Sequence, residues 1–139
     1  MEIKSILLDT NAYTAFKRNQ NEAISIIQTV DIIAMNTVII GELLGGFAVG
    51  NKQEINCYEL QQFLDGTRVK ILTIDPKTSE YYAMIYCELR KKGKPIPTND
   101  IWIAATAIQH DLILFTYDSD FQHIQELKSG NRLADFIDK

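Results

Sequence analysis

Residues 3–11 read Ile-Lys-Ser-Ile-Leu-Leu-Asp-Thr-Asn, and this stretch decides the fold. Apolar, β-favouring side chains crowd residues 3–8 and stop abruptly at Asp9. A short apolar run without polar alternation predicts a strand buried on both faces, the situation of a parallel sheet. Similar runs return at residues 32–35, 69–74 and 112–116. Between them the apolar residues take helical spacing. Helices are expected from Thr10 to about residue 16, over residues 22–30 and 38–49, and over residues 53–64 before Gly66. Two more are expected, over residues 76–92 and from residue 98 to about His110.

The punctuation agrees with this reading. Asn36 and Thr37 are good caps for the third helix. Asp75 followed by Pro76 is a cap and a pre-set first turn, and Gly93 is a stop. Thr98 or Asn99 is expected to cap the helix that follows the two-proline connector at residues 94–97. Residues 121–139 look irregular, with a last short strand expected at 133–137. Strands alternating with helices predict one α/β domain over residues 1–139: a three-layer α/β/α sandwich around a mainly parallel sheet.

Composition bounds the function. With 139 residues, 46% apolar and 23% charged, the chain is an ordinary globular one that buries about two-thirds of its surface without staples. The longest uncharged runs are about ten residues, such as 32–41, too short to span a membrane. The start, Met1-Glu2-Ile3-Lys4, lacks the basic and long apolar regions of a signal peptide. The net charge of −4 argues against a protein that coats nucleic acid by neutralising phosphates, but not against a nuclease that holds cations with carboxylates. Cys57 and Cys87 form neither a zinc pair nor a redox motif, and are expected to be free and reduced in the cytoplasm, in a role where cysteine is often a small buried apolar residue.

Four acids stand out by position. Ligands of open parallel sheets bind beyond the carboxyl ends of the strands. Asp9 ends the first strand, and Asp118 follows the strand that ends at Thr116, so both face one edge. Asp100 falls in the first turn of its helix on the face of Ile103, Ala104 and Ala107. Glu42 sits among Val38, Ile39 and Leu43, where a lone carboxylate is costly to bury. Three have a plain reading too: Asp9 as a helix cap, Asp100 as a first-turn acid favoured by the helix dipole, Asp118 as a turn residue. Together, four clustered carboxylates raise one another's pKa or recruit a cation. His110 and His123 lack ligand spacing and read as structural or surface residues. An all-oxygen set suits Mg²⁺ or Mn²⁺ better than zinc.

These residues resemble a known family. Leu7-Leu8-Asp9-Thr10-Asn11, then Gly41-Glu42-Leu43 with Gly46, then residues 99–105, then Thr116-Tyr117-Asp118-Ser119-Asp120-Phe121, are similar in order and spacing to a PIN domain. The small size and near-complete coverage resemble the VapC-type toxins of toxin–antitoxin pairs. The resemblance implies a homodimeric endoribonuclease dependent on Mg²⁺ or Mn²⁺. It implies Asp9, Glu42, Asp100 and Asp118 as the catalytic acids, with Asp9, Asp100 and Asp118 on the metal. Thr116, more loosely Thr10, and Asn11 support them, and Asp120 shares or replaces the role of Asp118. Arg90, Lys91, Lys92 and Lys94, the densest basic cluster, are offered as a phosphate-contacting rim for RNA, against the reading of a solvated helix end.

The apolar helical surfaces of residues 24–30 and 38–49 are the expected dimer contact. A small antitoxin placing a basic side chain into the acidic site is the expected inhibitor. Competing readings are weaker. A dehalogenase-like phosphatase needs an Asp where Asn11 stands, and a receiver-like signalling domain needs an acidic pair and a late-strand lysine. A non-catalytic PIN module, or a free-standing nuclease without antitoxin, remains the alternative.

Overall fold

The structure, a computed structural model, describes residues 4–137. Its strands are β1 (Ile6–Leu8), β2 (Ile33–Asn36), β3 (Val69–Leu72), β4 (Ile113–Phe115) and β5 (Ser129–Gly130). Its helices are α1 (Thr10–Lys17), α2 (Asn21–Thr29), α3 (Thr37–Val49), α4 (Gln53–Leu64), α5 (Pro76–Lys92) and α6 (Thr98–Gln109). The strands form one all-parallel sheet in the order β3-β2-β1-β4-β5. From β1 the chain steps outward to β2 and β3, then returns to the far side of β1 as β4. With right-handed crossovers the two directions put α1–α4 on one face and α5–α6 on the other. This is the expected α/β/α sandwich.

Burial explains the apolar strands. Ile6, Leu7, Leu8, Leu114 and Phe115 are fully buried at the centre of the sheet. Each such side chain contributes about 1.5–3 kcal/mol. Ile3, part of the expected first strand, and the start of the chain lie outside the described residues. At the sheet's edge β3 is less covered, with Ile71 exposed, and ends at Leu72 rather than residue 74.

The helix ends follow local chemistry. Asp75 and Thr78 form a reciprocal capping box ahead of α5, and Gly93 closes it in the left-handed conformation at φ 66°, which favours glycine. Thr98 begins α6 rather than capping it. The cap position is Pro97, whose carbonyl accepts from the amides of Asp100 and Ile101, and neither Thr98 nor Asn99 supplies a side-chain cap.

Asn36 is fully buried. Its Oδ1 accepts from the Ile39 amide at 2.8 Å, and its Nδ2 donates to Thr106 Oγ1 at 2.9 Å. It therefore caps α3 and ties it to α6, the helices that carry Glu42 and Asp100. Asn36→Ala should cost about 2–3 kcal/mol, from a lost cap and a lost buried hydrogen bond. Guanidinium denaturation with an unchanged slope checks this, and a midpoint equal to wild type contradicts it.

The tail departs from expectation. Residues 133–136 form a 3₁₀ helix, Leu133–Phe136, and Ile137 makes only an isolated bridge, so the expected last strand is not a strand. The fifth strand comes earlier, at Ser129–Gly130. A Cβ at Gly130 would overlap the Asp135 side chain, so only glycine lets the tail fold back this closely. Cys57 and Cys87 are free thiols, but Cys87 is exposed and not a buried apolar filler. No helix among the described residues is long and apolar enough to cross a membrane.

Candidate active site

The strand order reverses between β1 and β4, and a crevice opens beyond the carboxyl ends of strands at such a point. Leu8 pairs with Phe115, and the Asp9 amide donates to the Phe115 carbonyl, which brings Asp9 level with Thr116. Asp9 is 5% exposed. Its Oδ1 accepts from the Thr10 amide at 2.8 Å as the cap of α1, and its Oδ2 accepts from Thr116 Oγ1 at 2.7 Å. The cap reading and the cluster reading of Asp9 are thus both true of one side chain.

Thr116 is the hub. Besides donating to Asp9, its hydroxyl accepts from the Asp118 amide at 3.1 Å and from Asn11 Nδ2 at 3.4 Å. Asn11 Oδ1 accepts from the Tyr117 amide at 3.1 Å. The turn that follows β4 is therefore held from α1, and Asp118 Oδ1 caps the 3₁₀ helix Ser119–His123 by accepting from the Asp120 amide.

Glu42 comes off α3 into the same crevice. Thr10 Oγ1 donates to its Oε1 at 2.7 Å, and Asn99 Nδ2 reaches its Oε2 at 3.4 Å. Asn99, expected as an alternative to Thr98 for the helix cap, instead serves to orient Glu42. The only sequence signal for it is its place beside Asp100, since its partner is 57 residues away.

Asp100, Asp118 and Asp120 each present a carboxylate oxygen within 4.8 Å of the others. Asp120 thus joins Asp100 and Asp118 in this grouping, and Asp9, the neighbouring acid whose charge weighs most on Asp100, is buried beside them. Burial pushes the Asp100 carboxyl up to about 7, and the charges of Asp9, Asp118, Glu42 and Asp120 add to the rise. Burial also raises Asp9, opposed by the bonds from Thr116 and Thr10 and assisted by the charges of Glu42 and Asp118. Among the described residues, none of the five acids is paired with a lysine or arginine. Two carboxylates about 5 Å apart repel by roughly 3 kcal/mol at an effective dielectric of 20. A concentrated, unneutralised, all-oxygen donor set fits a hard divalent cation.

The basic cluster stands at the same end of the molecule. Gln109 at the end of α6 bonds Asp75 and Thr78 at the start of α5, and Tyr82 packs on Trp102 with ring centroids 4.2 Å apart. The two helices are thus antiparallel, and the end of α5 lies beside the start of α6. Lys92 is already engaged: its Nζ donates to Glu88 Oε2 at 2.6 Å and to the His123 carbonyl at 2.8 Å. Arg90 lies over the Tyr86 ring, and Lys91 and Lys94 are exposed.

Residues 6–127 match the model of the PIN domain. Ribonuclease VapC2 of Haemophilus influenzae is 32% identical over 128 residues, which cover 90% of this chain and 96% of that protein. Ribonuclease VapC4 of Mycobacterium tuberculosis is 31% identical over 94 residues, 68% of this chain and 72% of that one. Among solved structures, VapBC2 from Rickettsia felis bound to a DNA fragment from its promoter superposes with a TM-score of 0.83 at 28% identity, over 92% of this chain and 98% of that one. VapBC-1 from nontypeable Haemophilus influenzae gives 0.78 at 25%, over 91% and 96%. The match runs from the first strand through the acid-bearing turn after β4, and near full-length relatives share it, so the chain belongs to the PIN domain family, in the group of the VapC ribonucleases.

Proposed function

We propose that this protein is a divalent-cation-dependent endoribonuclease and the toxin of a toxin–antitoxin pair. The observation that carries this reading is the convergence of five carboxylates, without a basic partner among the described residues, at the reversal of strand order. The names of the relatives support the substrate class. Asp100, Asp118 and Asp120 would hold Mg²⁺ or Mn²⁺, with Asp9 completing the charge around it. When bound, the cation supplies Lewis acidity toward a phosphodiester and lowers the pKa of an attacking water. The Thr116 hydroxyl favours the ionised form of Asp9 against its burial and aims the carboxylate. Glu42, oriented by Thr10 and Asn99, would take the proton of the attacking water on its Oε2. Arg90, Lys91 and Lys94 would contact RNA phosphates at the rim, where Lys92 fixes the turn instead.

The test is cleavage of RNA with and without chelator. Activity should vanish in excess chelator and return with Mg²⁺ or Mn²⁺. Equal cleavage in chelator and in Mg²⁺ removes the cation from the reaction. The free thiols fit a reducing cytoplasm.

The partner we propose is a small antitoxin that places an arginine into the acids. A guanidinium matches carboxylates in a bidentate way, and one such contact blocks both cation and RNA. An apolar antitoxin helix in a neighbouring groove would add most of the affinity. Growth arrest by this chain should be relieved by the antitoxin and not by its Arg→Ala form. Full relief by that form leaves groove binding alone.

We also propose a homodimer. The residues 24–30 surface is largely taken up by the core, since Ile26, Ile27 and Val30 are buried. Leu44 and Val49 on α3, with Ile55 and Tyr58 on α4, stay exposed and are the apolar surface left for a second copy. Sedimentation of the chain alone and of the pair reads the stoichiometry, and a monomer mass at tens of micromolar rejects the dimer.

A further inference from the structure

Beside the acids lies a second, differently built space. A pocket of about 290 Å³ opens next to Asp118, between the turn after β4 and the tail that follows β5. Thr116 and Asp118 form its inner wall, so it is continuous with the candidate active site. Its size is at the lower end for ligand pockets, which run to roughly 300–1,000 Å³, and suits one small planar group.

The lining is polar, with two carboxylates beside uncharged side chains. Ser119, Gln122, Ser129 and Asn131 all face it. Among the described residues their side chains make no hydrogen bond to the protein, which leaves two carboxamides and two hydroxyls for a ligand. No lysine or arginine lines it, and Asp118 and Asp135 do, so a phosphate is disfavoured there. Carboxamides offer a donor and an acceptor side by side, the pattern that reads a base edge. Tyr117 adds an aromatic ring. Its hydroxyl donates to Gln20 Oε1 at 2.6 Å and its amide donates to Asn11, so the ring is held rather than loose. Stacking on a fixed ring is how single-stranded bases are commonly held.

The pocket is also rigidly founded. The Thr116 amide donates to the Gly130 carbonyl at 3.1 Å, which ties the pocket's β5 side to the hub of the acids. Asp135 Oδ2 accepts from the amides of Asn131 and Arg132 at 3.0 Å each, which fixes the turn that presents Asn131. The close approach of Asp135 to Gly130 holds that turn against the strand.

We infer that this pocket receives the nucleobase adjoining the scissile phosphate and sets the base preference of cleavage. The inference rests on the ribonuclease reading above. Phosphate at the acids and a base in the pocket are neighbouring parts of one nucleotide, which matches the shared wall of Thr116 and Asp118.

The experiment has two arms. In the first, wild type and a Gln122→Ala/Asn131→Ala double variant cleave a randomised RNA pool, and the products are sequenced. Wild type should show a preference at one position flanking the cut. The variant should lose that preference and cleave the preferred sequence roughly tenfold or more slowly, since a site built to hydrogen-bond a group discriminates through it. Its Mn²⁺ binding, read by electron paramagnetic resonance, should match wild type. An unchanged preference in the variant overturns the assignment.

In the second arm the four nucleosides, their 5′-monophosphates and inorganic phosphate are titrated into the wild-type protein. The side-chain amide resonances of Gln122 and Asn131 are followed by NMR. Shifts with at least one nucleoside and none with phosphate support a base pocket. Shifts with phosphate alone, or with nothing, overturn it. If the pool is not cleaved at all, the ribonuclease reading fails while this arm still decides what the pocket binds.

Discussion

Asp100→Asn should nearly abolish RNA cleavage and at the same time make the cation-free protein more stable at neutral and alkaline pH. The loss follows from the proposed cation site. Asp100 is one of three acids whose oxygens come within 4.8 Å of one another, and removing its charge removes both a ligand and part of the field that draws a cation. A decrease on the order of a thousandfold, or about 4 kcal/mol of transition-state stabilisation, is expected.

The gain in stability follows from the same crowding. Burial and four neighbouring acids hold the Asp100 carboxyl at about 7, against 3.8 in an unfolded chain. Below pH 4 the group is protonated in both states and contributes no difference. As pH rises from 4 to 7, the unfolded chain releases the proton first, so the folded state loses stability through that window. Above 7 the loss levels off. Asp100 is partly solvated, so the loss is on the order of 1 kcal/mol. Asn carries no such term. Asp9 shifts in the same direction but is present in both proteins, so the difference between them isolates Asp100. Denaturation in chelator at pH 5 and pH 8 reads it, and parallel pH dependence in the two proteins would falsify the account. Added Mg²⁺ should restore stability to wild type more than to the variant.

Thr116→Val should damage the site from behind without removing any acid. The hydroxyl donates to Asp9 Oδ2 inside the protein and accepts from the Asp118 amide and Asn11. Valine keeps the shape and removes all three bonds. A hydrogen bond to a buried carboxylate is worth about 1.5–3 kcal/mol, and that much stability should be lost near pH 7. Asp9 is already raised by burial, and the Thr116 bond is the largest influence that lowers it. Without the bond Asp9 rises further and ionises only at higher pH. The acid limb of the activity profile should therefore move toward higher pH, and the rate near neutrality should fall by about ten- to a hundredfold. Thr116→Ser keeps the hydroxyl and should restore both the rate and the profile. A valine variant with an unchanged rate would show that Thr116 serves only to pack, and a lower rate with an unmoved acid limb would show that it positions Asp9 and Asp118 without tuning Asp9.

Much of this was legible in the chain because it is local. Residues 6–8 and 113–115 are apolar without alternation, since each strand is covered on both faces, and that alone dictates a parallel sheet between two helical layers. Asp75-Pro76 and Gly93 mark the ends of α5 because capping depends on neighbours within four residues. Asp9 and Asp118 declared themselves by following strands, which directs them to one edge. Glu42 declared itself by being an acid on an apolar face.

What the chain did not disclose depends on partners far apart in sequence. Ser129–Gly130 has no strand propensity and pairs with β4 only because the returning tail places it there. Residues 133–137 look strand-like, yet the tight approach of Asp135 to Gly130 winds them into a 3₁₀ turn. Lys92 reads as one more charge in a basic run until its amine is found on the His123 carbonyl. Asn99 meets Glu42 across 57 residues.

The sequence by itself determined the layers and the strand-end acids, because burial pattern and charge are properties of short windows. Only the tertiary structure decided that Asp120 joins Asp100 and Asp118, that Thr116 governs Asp9, and that a polar pocket opens beside them. Those facts are distances between segments brought together by the reversal of strand order, and no short window contains a distance.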